Sequence, residues 1–251
     1  THCESSAASD VYKRQSEGLV LTNHHCAYGA IQGFSSPEND YLTNGFFAMK
    51  KGEEMHIDGF EVSFLVRIED VTSKILDGVS EEMSEDERNA AIGQAQNTLV
   101  AEMNEGDTNG YTYEVKSFYY GNEYYMFVYN TYRDIRLVAA PPESVGKYGG
   151  DTDNWMWPRH TGDFTMLRIY ADADNNPADY SEDNKPYSPK RHLKISMDGV
   201  KQGDFTMVMG YPGSTDRFLS SWGVEQALNL YNPSVVDVRD LKLRTMKEHM
   251  D

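Results

Sequence analysis

Phe60-Glu-Val-Ser-Phe-Leu-Val66 is the stretch that decides the class of fold. Phe60, Val62, Phe64 and Val66 alternate with Glu61, Ser63 and Leu65, which is the two-residue period of a strand with one buried face. Working outward, short runs rich in β-branched and aromatic residues cover 60–68, 111–118, 124–129, 135–140, 164–170 and 205–211, separated by Gly, Asn, Asp and Pro signals. The chain therefore reads as mainly β with helical excursions, and so many short strands predict a β-barrel over residues 16–225. Ser84-Glu-Asp-Glu87 is a capping box. Ile92, Ala95, Leu99 and Met103 then recur at helical spacing as far as Gly106, so one helix interrupts the strands.

A second helix is expected from Asn232-Pro233, with Asn as N-cap and Pro at N1, through Val235, Val238, Leu241 and Met246. The pattern is still running at Asp251 without a C-cap, which reads as a cut through a helical segment that occupies 226–251. Residues 172–189, with Asn175-Asn176-Pro177 and two further prolines, read as a solvated connection. Residues 1–15 show neither period and read as a foreign or disordered terminus.

A chain of 251 residues can bury roughly 70% of its unfolded surface, enough for one well-packed domain and an appendage without metals or many disulfides. The net charge of −17 and a pI near 4.7 exclude nucleic acid and anionic membranes as partners, since both need a basic face. No stretch approaches the roughly 18 continuous apolar residues of a membrane span. Two cysteines, Cys3 and Cys26, are enough for one bridge in an oxidising compartment.

The chemistry gathers in two segments. In Gly18-Leu-Val-Leu-Thr-Asn-His-His-Cys26 an apolar strand delivers an imidazole to its exposed end beside a cysteine, an arrangement that suits a general base. His24 and His25 compete for that role, with His160 as a further rival. Such a base needs a carboxylate on its Nδ1 side, and Asp163, just ahead of the apolar run Phe164-Thr-Met-Leu-Arg-Ile169, is the candidate. Asp151 and Asp153, with Asp163 nearby, lack EF-hand spacing and read as a solvated acidic loop, so no metal and no cofactor are expected. No Gly-x-Ser-x-Gly elbow occurs, and Ser214 in Pro212-Gly-Ser-Thr sits in none, so the chain offers no recognised nucleophile.

Leu21-Thr-Asn-His-His-Cys-Ala-Tyr-Gly-Ala-Ile-Gln32 and Asp153-Asn-Trp-Met-Trp-Pro-Arg-His-Thr-Gly-Asp163 together resemble the dipeptidyl-peptidase 7 and 11 family of bacterial serine exopeptidases. The resemblance runs from about Gly18 to the C-terminus. It implies the N-terminal barrel of a chymotrypsin-like double-barrel peptidase and the start of an inserted helical domain, with the nucleophilic serine beyond this chain. It also selects His25, directly before the cysteine, as the base and carries the orienting role onto Asp163. Asn154 and Trp155 would bind the free N-terminus of an oligopeptide, while Trp157 serves packing. Cys26 would pair with an upstream cysteine, whose place falls near Ser9 rather than Cys3. Homodimerisation and a periplasmic or cell-surface location are implied in the same way. The rival expectations are a chymotrypsin-like endopeptidase with an open cleft and a barrel that binds peptides without cutting them.

Overall fold

The computed structural model describes residues 17–150, 160–192, 198–207 and 219–250. The chain divides into two units, the first ending at Tyr211 and the second beginning at Pro212. In the first unit the strands are Leu19–Thr22 (β1), Phe46–Phe47 (β2), Met55–His56 (β3), Val62–Asp70 (β4), Thr112–Phe118 (β5), Glu123–Tyr132 (β6), Asp134–Ala140 (β7), Thr165–Ala171 (β8) and Lys185–Pro186 (β9). One sheet has the order β1-β8-β7-β2, with β3 also on β7 and β9 on β8. The other has the order β4-β6-β5, and every strand pairing among the described residues is antiparallel.

Among the described residues these strands form two open sheets mixed with helix, not the closed barrel expected from strand number. β2, β3 and β9 are two residues each and extend an edge without closing it. Phe205–Met207 are not strand, and the rest of the expected 205–211 run lies outside the described residues.

The stretch around Phe64 shows how one strand serves two cores. Val62 is 1% exposed and Phe64 packs beside it against Tyr132, as the alternation predicts. The register then slips between Leu65 and Arg67, a bulge that makes Val66 the extra residue and exchanges the faces beyond it. Val66 is accordingly exposed instead of buried. Past the bulge, Met126 and Val128 of β6 join Val71, Ile75, Ile92 and Leu99 in a second core. Ile92 and Leu99 come from the helix Glu85–Glu105, whose capping box at Ser84 and Glu87 is present with both limbs bonded. The expected helix is in place.

The first core gathers Val20, Ile57, Ile135, Leu137, Leu167 and Ile169 on one face of the larger sheet, against Ala27 and Ile31 of the helix His24–Phe34. Each such aliphatic side chain contributes about 1.5–3 kcal/mol on burial. The opposite face of β7 and β8 carries Asp134, Arg136, Arg168 and Tyr170, and it is covered too. Arg136 donates to both Asp134 oxygens at 2.9 and 2.7 Å and to the Ser181 carbonyl at 2.9 Å, while Asn184 donates to Asp134 Oδ2 at 2.9 Å. Burial alone would raise the Asp134 pKa, but the bonds from Arg136 and Asn184 outweigh it and hold the carboxyl below its ordinary value. Arg168 Nε donates to the Glu54 carboxylate at 2.9 and 3.1 Å, and the Tyr170 hydroxyl joins it at 2.9 Å. Residues 172–189 are thus more than a solvated connection, because Ser181 and Asn184 complete this polar layer.

In the second unit the helix Ser221–Gln226 is capped by Ser220, whose hydroxyl accepts from Gly223 N. A π-helical stretch, Ala227–Tyr231, leads directly into the helix Asn232–Lys247. The expected start at Asn232 is corrected here: Tyr231 and Asn232 are both helical, and Asn232 caps nothing. Pro233 lacks an N–H and would crowd the preceding turn, and the wider π turn just before it accommodates the ring inside a continuing helix. Among the described residues no helix is long and apolar enough to cross a membrane.

Candidate active site

The last rung of the β1–β8 ladder pairs Thr22 with Thr165. Because the strands are antiparallel, the chain leaving β1 and the chain entering β8 lie side by side at one end of the sheet. That topology brings His25 to Asp163 across 138 positions. His25 does not sit at the strand end itself, as expected, but in the first turn of the helix that begins at His24. The sequence places His24, Ala27 and Ile31 on one buried stripe of that helix, leaving His25 on the outer side.

Asn23 holds the N-cap position in extended backbone, yet its side chain makes no capping bond. Asp163, remote in sequence but at the same end of the sheet, supplies one, its Oδ1 accepting from His25 N at 3.1 Å. A carboxylate at a helix N-terminus also meets the favourable end of the macrodipole. Asp163 Oδ2 lies 2.7 Å from His25 Nδ1. An ionised carboxylate only accepts, so Nδ1 carries the hydrogen and Nε2 presents a lone pair. The His25 side chain is 67% exposed and that of Asp163 20%, so Nε2 is open to an approaching group while the carboxylate is partly sheltered.

The rivals are disposed of by position. His24 is 1% exposed, its ring edge-on to Tyr28 at 6.0 Å. Burial pushes its pKa below the ordinary value, with the charges of Asp163 and Glu143 opposing only in part, which keeps this imidazole neutral. His160 is exposed, and the Asp163 carboxylate is occupied by His25 and Asn23. Asn154 and Trp155, together with Cys3, Asp151, Asp153, Trp157 and Ser214, lie outside the described residues.

Two glycines that the sequence reading passed over set the spacing. A Cβ on Gly146 would stand 2.5 Å from His24 Cγ, and one on Gly162 would stand 2.7 Å from Val145 Cγ1. The short helix Glu143–Gly146 is thereby clamped between the His24 ring and the residue before Asp163. Gly162 N donates to the Val145 carbonyl at 2.9 Å, and the Thr161 hydroxyl donates to the Val145 and Gly146 carbonyls at 3.2 and 3.1 Å. Gly146→Ala is expected to destabilise the protein by about 1–3 kcal/mol through overpacking against a ring that cannot move away. The check is the thermal midpoint beside that of Gly52→Ala, where a Cβ would meet open space. A Gly146→Ala midpoint equal to wild type would show that the contact is slack.

A family model described as Peptidase S46 matches residues 11–251. The chain belongs to the peptidase S46 family. S46 relatives include the dipeptidyl-peptidase 7 of Porphyromonas endodontalis, 49% identical over 94% of this chain and 28% of its own length. Another is the Asp/Glu-specific dipeptidyl-peptidase of Capnocytophaga gingivalis, 47% identical over 99% of this chain and 34% of its own length. A crystal structure of Porphyromonas endodontalis DPP11 in complex with the dipeptide Arg-Glu superposes with a TM-score of 0.80 at 39% identity, covering 97% of this chain and 38% of that one. The chain spans about a third of the length of the curated S46 relatives it matches.

Proposed function

We propose that this chain is the base-bearing portion of a serine-type dipeptidyl-peptidase that releases dipeptides from the free N-terminus of oligopeptides. The observation that carries the reading is the 2.7 Å contact between His25 Nδ1 and Asp163 Oδ2, which leaves Nε2 open. In the reaction His25 Nε2 takes the proton from a serine hydroxyl as that oxygen attacks the scissile carbonyl. Asp163 holds the imidazole in the required tautomer and stabilises the imidazolium, and His25 then returns the proton to the departing amine. The serine and its oxyanion donors belong to the remainder of the longer protein, so the 251 residues alone are inactive. Asn154 and Trp155 are assigned to the substrate's α-ammonium, which calls for an amide oxygen and an aromatic wall.

The same reading takes residues 16–225 as the N-terminal barrel of a chymotrypsin-like double-barrel peptidase and 226–251 as the start of an inserted helical domain. It places the protein in the periplasm or at the cell surface as a homodimer. The names of the S46 relatives support the dipeptidyl-peptidase part of this reading. The test is hydrolysis by the complete gene product of a dipeptidyl fluorogenic substrate and of its N-acetylated form. Only the free form is expected to be cut, with His25→Ala abolishing the cut. Equal cleavage of the blocked peptide would replace the exopeptidase with an endopeptidase, and full activity in His25→Ala would end the reading.

A further inference from the structure

The N-cap position ahead of His24 is filled by a residue type that ordinarily turns its side-chain oxygen onto the second or third helical N–H. Asn23 does not do so. Its Nδ2 instead crosses to β8's approach, donating to the Asp163 main-chain carbonyl at 3.1 Å and to Asp163 Oδ2 at 3.3 Å. Both acceptors are oxygens, which fixes the nitrogen, not the oxygen, of the amide on that side. A single NH2 group therefore ties the backbone of Asp163 to its own carboxylate. That removes rotation about the side chain, and Oδ2 is the same oxygen that receives His25 Nδ1.

The helix does not lose by the diversion, because Asp163 Oδ1 takes the His25 N–H in place of an Asn cap. Asn23 and Asp163 have in effect exchanged duties: the remote carboxylate caps the helix, and the local amide holds the carboxylate.

We infer that Asn23 is a positioning residue for the proposed peptidase reaction, locking the Asp163 carboxylate in the rotamer that keeps His25 aimed. This rests on the reading of His25 and Asp163 as base and orienter. An imidazole displaced by a fraction of an ångström loses its line to the nucleophile, and misplacements near 1 Å cost on the order of 100-fold in rate. Both Asn23 side-chain bonds go to Asp163, so the loss is expected to fall on kcat.

The test uses the complete gene product and three variants, Asn23→Ala, Asn23→Ser and Asn23→Asp, with kcat, KM and a kcat/KM profile against pH. Asn23→Ala is expected to lower kcat roughly 10- to 100-fold with KM within about threefold. Asn23→Ser retains a good capping group but is one bond too short for Asp163, so it is expected to be as slow as Asn23→Ala; recovery of wild-type kcat by Ser would make Asn23 an ordinary cap and overturn the inference. Asn23→Asp sets a second carboxylate beside the pair and favours the imidazolium. The acid limb of its profile is expected to move to higher pH, which reports that the side chain at position 23 stands against the His25–Asp163 pair. An unmoved limb together with kcat within twofold of wild type in Asn23→Ala also overturns it. His25→Ala run in parallel separates the two claims: if it stays active the dyad itself is wrong, whereas an inactive His25→Ala beside a fully active Asn23→Ala removes only the role of Asn23.

Discussion

Asp163→Asn in the complete gene product is expected to lower kcat by about 10⁴-fold with KM nearly unchanged. The geometry prescribes which way the new amide must turn. Its oxygen has to face His25 N, since that N–H at 3.1 Å needs an acceptor. The NH2 then occupies the place of Oδ2, 2.7 Å from His25 Nδ1. A donor there forces Nδ1 to become the acceptor and moves the imidazole hydrogen to Nε2, which can no longer take a proton from a nucleophile. The same NH2 also confronts the Asn23 donor that met Oδ2 at 3.3 Å, so the variant sets donor against donor. Turning the amide over relieves both conflicts only by leaving the His25 N–H facing a donor. Fold and helix remain, so steady-state kinetics on a dipeptidyl substrate isolates the effect. A loss smaller than tenfold would show that Asp163 does not set the tautomer.

Much of this site was legible before any coordinates. Asp163 and His25 each stand at the boundary of an apolar run, and antiparallel pairing of those runs is enough to join them. What was not legible is the residue on which the chain turns. The apolar run predicts a strand as far as the histidines, but β1 stops at Thr22 and a helix takes over, because His24, Ala27 and Ile31 fall on a stripe that packs on the first core. Asn23 stands immediately ahead of that stripe. Its actual use, on a residue 140 positions away, was not readable, since a side chain's choice between a local and a remote partner depends on tertiary placement.

The fold shows the same division. The presence of β4 follows from alternation, whereas the bulge at Val66 reverses the faces in its middle, and no period of two can foresee a slip of one. Closure of a sheet depends on how edges meet, which is equally absent from local pattern. The polar layer on β7 and β8 was concealed for a related reason. Arginine in a strand is ordinarily solvent-facing, and only the return of Glu54 and of Ser181 and Asn184 over Arg136 and Arg168 makes these positions interior.

That layer carries the largest expected effect on stability. Arg136 and Arg168 are direct register partners across β7 and β8, so two guanidinium groups stand opposite each other on one face. Like charges so placed are destabilising unless each has its own counter-ion. Asp134 serves Arg136 and Glu54 serves Arg168, with side chains 0% and 3% exposed. The Tyr170 ring lies 3.7 Å from the Arg136 guanidinium carbon while its hydroxyl donates to Glu54, so the two pairs share one tyrosine. Burial first, and the Glu54 bond after it, push the Tyr170 hydroxyl pKa upward, which keeps that hydroxyl a donor. Glu54→Ala is therefore expected to cost about 3 kcal/mol, because it leaves the Arg168 guanidinium with only the Glu17 carbonyl at 2.8 Å and the more exposed Glu17 carboxylate at 3.9 Å, and takes the acceptor from the Tyr170 hydroxyl. The loss follows from the orphaned charge more than from any net strength of the pair. Glu54→Leu combined with Arg168→Met removes both charges and refills the space with apolar groups, and it is expected to be more stable than Glu54→Ala alone. Denaturant midpoints of the two variants decide the matter. A double variant as unstable as the single one would mean that the ion pair stabilises the sheet in its own right, and that opposed arginines were never the hazard.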